Sequence, residues 1–588
     1  MKIVLEKLKK LLTNKAFLSF IMTSFTYGVI CLTGVIKTYD ILSWLVFFAL
    51  MILYIKTDIF NKKMNKESLI FSILFSFIIV FGGIAYELQE NAELSVFKEL
   101  LTINSLFKFI GVFNILFIIL KNILPRLYDF SLTNKKSKVK KTWVVFTISF
   151  MVILLAWLPY FLTFFPGTLS PDSFGELGII VNNFSSVSDH HPVLHVLFIA
   201  LPYNIGFKLF GSMTAGIALA TIFQMIILAS IFSSLIVFLH NRKVNDYILL
   251  IITLFYAVVP MHGYYSIVMW KDVIFSGLLL LLTMQLFKIV EKEKNGKLNF
   301  KELISFIIVS ILCVFFRNNA IYMYAILAII TLVIFRKYYK IFIASFCIIF
   351  GVYFIVKGPI FNYLNVSKSA SAEYIGMPLQ QMGRMAFKNV VFTDEEKKLI
   401  DKLIPVETMA ISYNPRVSDG IKFNASYNGD VFDENKAEYL KLYLNLVKKY
   451  PSIALEAYSI STLGYWYPGV EYWSVANNIW ENEYGIETQS KTPFVVKKVL
   501  TKIESRGVPI LNIEWSIGLC FWIILIFGML TVKKKSLKDL YPFVPILGIW
   551  LTMMIASPVF GEFRYVYGAF TCLPLLMLCP YINLKKTT

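Results

Sequence analysis

Charged side chains are scarce in this sequence. Asp, Glu, Lys and Arg make up only 16% of the 588 residues, whereas 57% are hydrophobic. A soluble globular protein carries about a quarter of its residues as charged side chains, so this composition argues against one. Apolar runs of about 20 residues, the length that a transmembrane helix needs, recur along the chain. They predict an all-α polytopic membrane protein.

The sequence also lacks the motifs that would indicate a disulfide scaffold, a metal site or a nucleotide-sugar donor. Its six cysteines lie in apolar segments, with no CxxC spacing and no histidine partners. No metal or other cofactor is therefore expected. No DxD motif and no internal repeat is evident. The first apolar run, 16–36, is too long for a signal peptide and predicts an uncleaved span.

The formal charge of +20 could indicate a nucleic-acid-binding surface, so its distribution decides. Apolar length predicts about fourteen spans. They lie near 16–36, 41–56, 69–86, 105–123, 143–165, 212–239, 246–262, 267–288, 303–318, 320–335, 341–360, 513–531, 541–557 and 566–583. With this arrangement, every second connection is basic, and these connections together hold 32 Lys and Arg against 9 Asp and Glu. The hydrophilic insert 361–512 holds 17 of each. Positive charge on alternate connections is the signature of cytoplasmic loops, so no nucleic acid partner is expected.

This charge pattern predicts the orientation and the domains. Both termini face the cytoplasm, and the insert lies outside. Residues 1–142 form a four-helix membrane module, 143–360 a membrane core with an outer loop at 166–211, 361–512 a mainly helical extracellular domain, and 513–588 the helices that complete the core. The apolar segment 192–211 is predicted to stay at the outer surface, because a crossing would move later basic loops outside. Residues 373–389 are interpreted as an amphipathic helix at the membrane surface.

Titratable residues gather at the predicted outer ends of the core helices. Residues 163–195, "TFFPGTLSPDSFGELGIIVNNFSSVSDHHPVLH", contain three of the five histidines. Ionisable groups at membrane depth cost about 2.5–3.5 kcal/mol each, so they mark sites or pathways. The candidate site residues are Asp172, Glu176, Asp189, His190, His191, Lys271, Asp272, Arg317, Asn318, Glu562, Arg564 and Tyr565. Cations from three helix ends beside several carboxylates suggest a site for an anionic lipid-linked substrate.

Each candidate also has a purely structural interpretation. Asp172 follows Ser-Pro and could cap a helix. The pair His190-His191 before Pro192 could be an ordinary helix entry. Lys271 and Arg317 could extend to the membrane surface. Finally, Arg564 and Glu562 could form a structural ion pair.

Two groups of motifs carry a resemblance to known proteins. The words "SPDSFGE" (170–176), "DHHPVLH" (189–195) and "GEFRY" (561–565) resemble the GT-C class of glycosyltransferases, which use polyprenyl-phosphate sugars. Together with "MWKD", "EYIGMPLQQMGR", "SDGIKF" and "GYWYP", they also resemble a family of uncharacterised multipass proteins from Gram-positive bacteria. Ser173 stands where the mannosyltransferase pattern has the second residue of an Asp-Glu pair, and a single proline follows the histidines.

The resemblance implies an enzyme of the cell membrane whose active site is extracellular. Asp172 would be the general base, His191 with Asp189 would orient the substrates, and Lys271, Arg317 and Arg564 would hold the phosphate of an undecaprenyl-phosphate sugar. The acceptor would be an extracellular glycan, a teichoic acid or a protein, and the chain would otherwise contact membrane lipids. A flippase or transporter of a lipid-linked glycan, and a polysaccharide polymerase or ligase, remain as alternatives.

Overall fold

The computed structural model describes a protein whose regular structure is helical. The described residues are 15–32, 41–56, 65–89, 95–132, 141–367, 375–470, 472–475, 478–505, 511–556 and 559–582. Within these ranges there are helices and three isolated β-bridges but no β-strand. The prediction of an all-α protein is confirmed for this part of the chain.

The chain divides into two compact units. Residues 1–130 and 378–470 form the first, and residues 131–377 and 471–588 form the second. In this division, residues 378–470 of the predicted extracellular domain group with the four-helix module. Hydropathy identifies where a hydrophilic insert begins and ends, but it does not identify the surface on which the insert packs.

The first unit contains the helices Lys15–Leu32, Ile41–Lys56, Lys66–Glu87, Val96–Leu100, Ile103–Asp129, Gly376–Phe387, Asp394–Leu403, Val406–Ser412, Asp419–Lys422, Gly429–Glu434, Lys436–Lys449 and Pro451–Ser461. An aromatic contact joins its two chain segments. The rings of Phe81 and Trp466 lie 5.6 Å apart. A Cβ at Gly82 would come within 2.4 Å of the Tyr467 ring, so only glycine permits this approach.

The helix Gly376–Phe387 corrects one interpretation from the sequence. From Gly376 to Ala386, every residue except Pro378 is buried, and Arg384 has no exposed surface. A helix at a membrane surface would expose its polar face to water. The interpretation of 373–389 as an interfacial helix is therefore wrong, because its polar side chains bond to neighbouring protein segments instead.

The second unit contains the helices Thr142–Thr163, Pro171–Val181, Val193–Phe210, Met213–His240, Asp246–Val258, Pro260–Ile267, Lys271–Lys294, Phe300–Phe316, Ala320–Ile334, Tyr339–Ile355, Phe361–Tyr363, Phe494–Glu504, Ile517–Lys534, Val544–Ala556 and Phe563–Leu578. A π-helical turn spans Val356–Ile360 and a 3₁₀ stretch spans Leu537–Phe543. Lys271–Lys294 is the most enclosed of the long apolar helices, with 83% of its most apolar stretch buried. A helix that is apolar on every face belongs in the interior, and this one packs against Phe563–Leu578.

Nine helices among the described residues are long and apolar enough to cross a membrane, or ten if the bent pair Asp246–Val258 and Pro260–Ile267 is one span. The chain is therefore a polytopic membrane protein by length and composition. All fourteen predicted segments overlap helices, but several of these helices are short, and the number fourteen is not confirmed. Val193–Phe210, predicted to stay at the outer surface, is among the nine.

Candidate functional site

Two extended segments of the second unit align the starts of two helices. The Thr168 amide donates to the Ile267 carbonyl at 3.0 Å, and the Met269 amide donates to the Thr168 carbonyl at 3.2 Å. The Gln224 side chain donates to the carbonyls of Ser266 and Val268, at 3.0 and 2.8 Å. As a result, the helices Pro171–Val181 and Lys271–Lys294 begin beside each other.

Serine side chains fasten the start of Pro171–Val181. The Ser173 hydroxyl accepts from the Ser170 amide at 3.1 Å and donates to the Met269 carbonyl at 2.7 Å. The Trp270 indole donates to the Ser170 hydroxyl at 2.5 Å. Ser173 thus has a structural use at the position where the resemblance leads one to expect an acidic residue. Ser170 is also the N-cap residue, so the alternative in which Asp172 caps the helix is wrong.

Arg564 connects the two carboxylates of the site. Its Nη1 donates to Asp172 Oδ2 at 2.5 Å, and its Nε lies 3.2 Å from Glu562 Oε1. The guanidinium lies 5.2 Å from the centre of the Trp270 ring and 5.1 Å from that of Tyr565. Residues almost four hundred positions apart in the sequence therefore meet, as the site prediction requires.

The charges around Arg564 set the protonation of its neighbours. Burial alone would raise the pKa of Asp172, but the Lys271 ammonium and the Arg564 guanidinium hold that pKa well below its ordinary 3.8. Burial raises the pKa of Glu562 to about 7, although Arg564 opposes the shift. Asp172 is therefore ionised at neutral pH, whereas Glu562 takes up a proton more readily than an ordinary glutamate.

Lys271 is a cation of this cluster that makes no ion pair with the described residues. It is partly buried at the first position of its helix. Its ammonium is close enough to Asp172 and His191 to lower the pKa of each. Nevertheless, it makes no ion pair or hydrogen bond with any residue in the described part of the chain. A cation that lies beside a paired Asp–Arg and makes no hydrogen bond of its own is suited to binding an anionic group.

Glu176 is buried between two histidines. Its Oε2 lies 2.8 Å from His195 Nδ1, and its Oε1 lies 3.9 Å from His191 Nδ1. The His195 side chain is fully buried, and that of His191 is 12% exposed. Burial, assisted by the Lys271 charge, lowers the pKa of His191 to about 4, so this imidazole is neutral at physiological pH.

Asp272 and Arg317 form a separate, buried ion pair. Arg317 also donates to the Tyr565 carbonyl at 3.3 Å, and its guanidinium lies 4.8 Å from the Tyr565 ring. The pair is enclosed by protein. Through Arg317 it contacts Tyr565, which lies in the first turn of Phe563–Leu578. Because Arg317 is buried, the alternative in which it extends to the membrane surface does not fit. That Asp272 and Arg317 bind substrate stays a prediction.

A third cluster joins Asp189 and Asn318 to Lys357. The Lys357 ammonium donates to Asp189 Oδ1 at 2.5 Å and to Asn318 Oδ1 at 2.8 Å. The Asn318 amide donates to the Asp189 carbonyl at 2.7 Å. Asp189 is thus occupied by a lysine that the sequence reasoning missed. A lysine before Gly-Pro inside the apolar segment 341–360 was the available signal.

His190 takes no part in these clusters. It is exposed, its amide donates to the Ser188 hydroxyl at 3.2 Å, and its ring stands edge-on to the His191 ring, with 4.8 Å between the ring centres. The described residues contain no group of three or more His, Cys, Asp or Glu side chains that could hold a metal ion.

The family model described as a family of unknown function (DUF6020) matches residues 179–587. Because the match covers about seven-tenths of the chain, the chain belongs to this family. The matched region includes His191, Lys271 and Arg564 but begins after Asp172 and Glu176. No curated protein and no solved structure matches the chain.

Proposed function

We propose that this member of the family of unknown function (DUF6020) is a membrane glycosyltransferase of GT-C type. It would move a sugar from a polyprenyl-phosphate donor to a glycan, a teichoic acid or a protein of the cell envelope. One observation carries the proposal: the Lys271 ammonium, near Asp172 and Arg564, makes no hydrogen bond or close ion pair with an anion among the described residues. The donor phosphate supplies that anion.

Two cations would bind the donor phosphate in different ways. Lys271 offers a point charge, and Arg564 offers a planar fork of donors that matches a phosphate. Departure of the sugar leaves negative charge on the phosphate oxygens, and fixed cations stabilise that charge as it develops. No metal ion is required for this part of the reaction.

Asp172 is the proposed general base. While it is bound to Arg564 its low pKa makes it a weak base. An incoming phosphate competes for the same guanidinium, and the loss of this hydrogen bond raises the pKa of Asp172. Donor binding would thereby release the carboxylate to accept the proton of the acceptor hydroxyl. The neutral imidazole of His191 lies beside it to orient that hydroxyl.

Replacing Lys271 tests the phosphate-binding role. In Lys271→Met, loss of a charge-assisted contact of about 1.5–3 kcal/mol should weaken donor binding by roughly 10-fold to 100-fold. The measurement is the KM for a synthetic polyprenyl-phosphate sugar, determined from the rate at which the purified protein transfers the sugar. Lys208→Met is the matched control, because Lys208 is exposed at the far end of another apolar helix.

The outcomes separate the candidate functions. An unchanged KM in Lys271→Met would contradict the phosphate-binding role. Translocation of intact donor across a vesicle membrane, without transfer of its sugar, would identify a flippase instead. Growth of a glycan chain on the lipid would identify a polymerase.

The proposed enzyme lies in the cell membrane with both termini in the cytoplasm and its site outside. Single cysteines in an otherwise cysteine-free chain test this orientation by labelling intact cells with a membrane-impermeant reagent. Cysteines at the exposed positions Ser185 and Lys441 should be labelled, whereas those at Lys243 and Lys297 should be protected. Labelling at Lys243 would mean that Val193–Phe210 crosses the membrane, which would reverse the assignment of the later loops.

A further inference from the structure

One face of the helix Pro171–Val181 carries two carboxylates with a glycine between them. Asp172, Gly175 and Glu176 are three and four positions apart, so they share a face. The His191 ring rests on the glycine. A Cβ at Gly175 would lie 2.5 Å from His191 Nε2, 3.1 Å from Cε1 and 3.3 Å from Cδ2. Any side chain at position 175 would therefore have to displace the imidazole.

Glycine at position 175 has a low helix propensity for a helix interior. Gly175 lies in the middle of an eleven-residue helix and has an ordinary negative φ. Glycine weakens a helix interior relative to alanine, because it loses more backbone freedom on folding. The conformation of the backbone does not require it at this position. The space occupied by the His191 ring does.

A second buried side chain, Glu176, lies near the opposite edge of the ring. Glu176 Oε1 lies 3.9 Å from His191 Nδ1, while Glu176 Oε2 lies 2.8 Å from His195 Nδ1. His195 is itself enclosed, with the rings of Phe198 and Phe316 at 6.1 and 5.9 Å. Glu176 therefore has little freedom to move away from His191.

We propose that Gly175 is a positioning residue, which seats the His191 imidazole between the carboxyl groups of Asp172 and Glu176. The buried Glu176 and His195 side chains enclose the seated ring on its other side, so that His191 presents the acceptor hydroxyl to Asp172. The kinetic consequence rests on the proposed glycosyl transfer, whereas the seat itself does not.

Gly175→Ala tests the seat, and Gly178→Ala is its matched control in the same helix. At Gly178 a Cβ would meet only the Tyr484 hydroxyl, at 3.2 Å. Diethyl pyrocarbonate, which modifies unprotonated imidazoles, is applied to the full-length protein in detergent, and each histidine is quantified by peptide mass spectrometry. His190, exposed beside the seat, serves as the internal reference.

In Gly175→Ala we expect His191 to be modified several-fold faster than in the wild type, because the displaced ring becomes more exposed. In Gly178→Ala the rate should stay at the wild-type value. Sugar transfer by Gly175→Ala should show a kcat lower by up to about 10²-fold, the cost of a small misplacement of a reacting group. Its KM for the donor should be unchanged, since neither Lys271 nor Arg564 is touched.

An unchanged rate of His191 modification in Gly175→Ala would overturn the proposal. If Gly175→Ala folds poorly, the double variant Gly175→Ala/His191→Ala decides. Removing the ring removes the clash, so the added alanine should then cost no stability relative to His191→Ala alone. An equal loss of stability in both backgrounds would overturn the seat. Faster modification together with a wild type that transfers no sugar would support the seat and refute the proposed function.

Discussion

Asp172→Asn is expected to abolish sugar transfer while leaving the protein folded and able to bind the lipid-linked donor. Asparagine keeps the size of the side chain and an oxygen that can accept the hydrogen bond from Arg564. It cannot accept a proton under these conditions, and loss of a general base costs roughly 10²–10⁴-fold in rate. The measurement is kcat for transfer from a synthetic polyprenyl-phosphate sugar, with donor KM determined in parallel.

The structure removes one alternative explanation of this experiment, the loss of a helix cap. Because Ser170 is the N-cap residue of Pro171–Val181, an asparagine side chain at position 172 should not disturb the capping of this helix. Asp246→Asn is the matched control, since Asp246 also lies in the first turn of a helix of the same unit. Wild-type transfer by Asp172→Asn would reduce Asp172 to a structural partner of Arg564 and remove the proposed mechanism.

The sequence predicted the class of fold because hydropathy reports burial in lipid directly. Every predicted apolar segment overlaps a helix. Hydropathy does not report how long a helix stays straight: the segment near 246–262 is divided by Pro260 and bent by 52°. Nor does it report which surfaces pack together, and for this reason the insert was predicted as a separate domain.

The candidate site was predicted in part for a similar reason. Charged residues at the ends of apolar helices indicate a functional site. The sequence therefore named Asp172, Lys271 and Arg564 as candidate site residues. Their partners depend on tertiary geometry. The sequence could not distinguish Arg317, enclosed with Asp272, from Arg564, which lies over Trp270 beside the partly exposed Asp172. It also gave Asp189 a catalytic role, whereas Lys357 occupies its carboxylate.

The same limit applied to Arg384, which the sequence suggested was at the membrane surface. In the first unit its guanidinium is fully buried, and its Nε donates to Glu456 Oε2 at 3.1 Å. The Lys388 ammonium donates to the same oxygen at 2.6 Å, and the Val96 amide donates to Oε1 at 3.4 Å. One buried carboxylate thus balances two cations and joins three chain segments.

Glu456→Gln should therefore be the most destabilising conservative substitution in the first unit. It removes the carboxylate charge from the buried Arg384 guanidinium, and an uncompensated buried charge costs about 3–5 kcal/mol. The measurement is unfolding of the detergent-solubilised protein by guanidinium, followed by the fluorescence of Trp466 in a variant whose other tryptophans are replaced. The transition of the first unit should move to lower denaturant concentration.

Glu407→Gln provides the matched control. Glu407 pairs with Lys397 at 2.8 Å in the same unit, but both side chains are largely exposed. Solvent screens such a pair, and surface pairs contribute little to stability, so the control should unfold at the wild-type midpoint. If Glu456→Gln also unfolded at that midpoint, the Arg384–Glu456–Lys388 cluster would not be what holds the insert to the helices of the first unit. The aromatic contact of Phe81 and Gly82 with Trp466 and Tyr467 would then be among the contacts that carry that role.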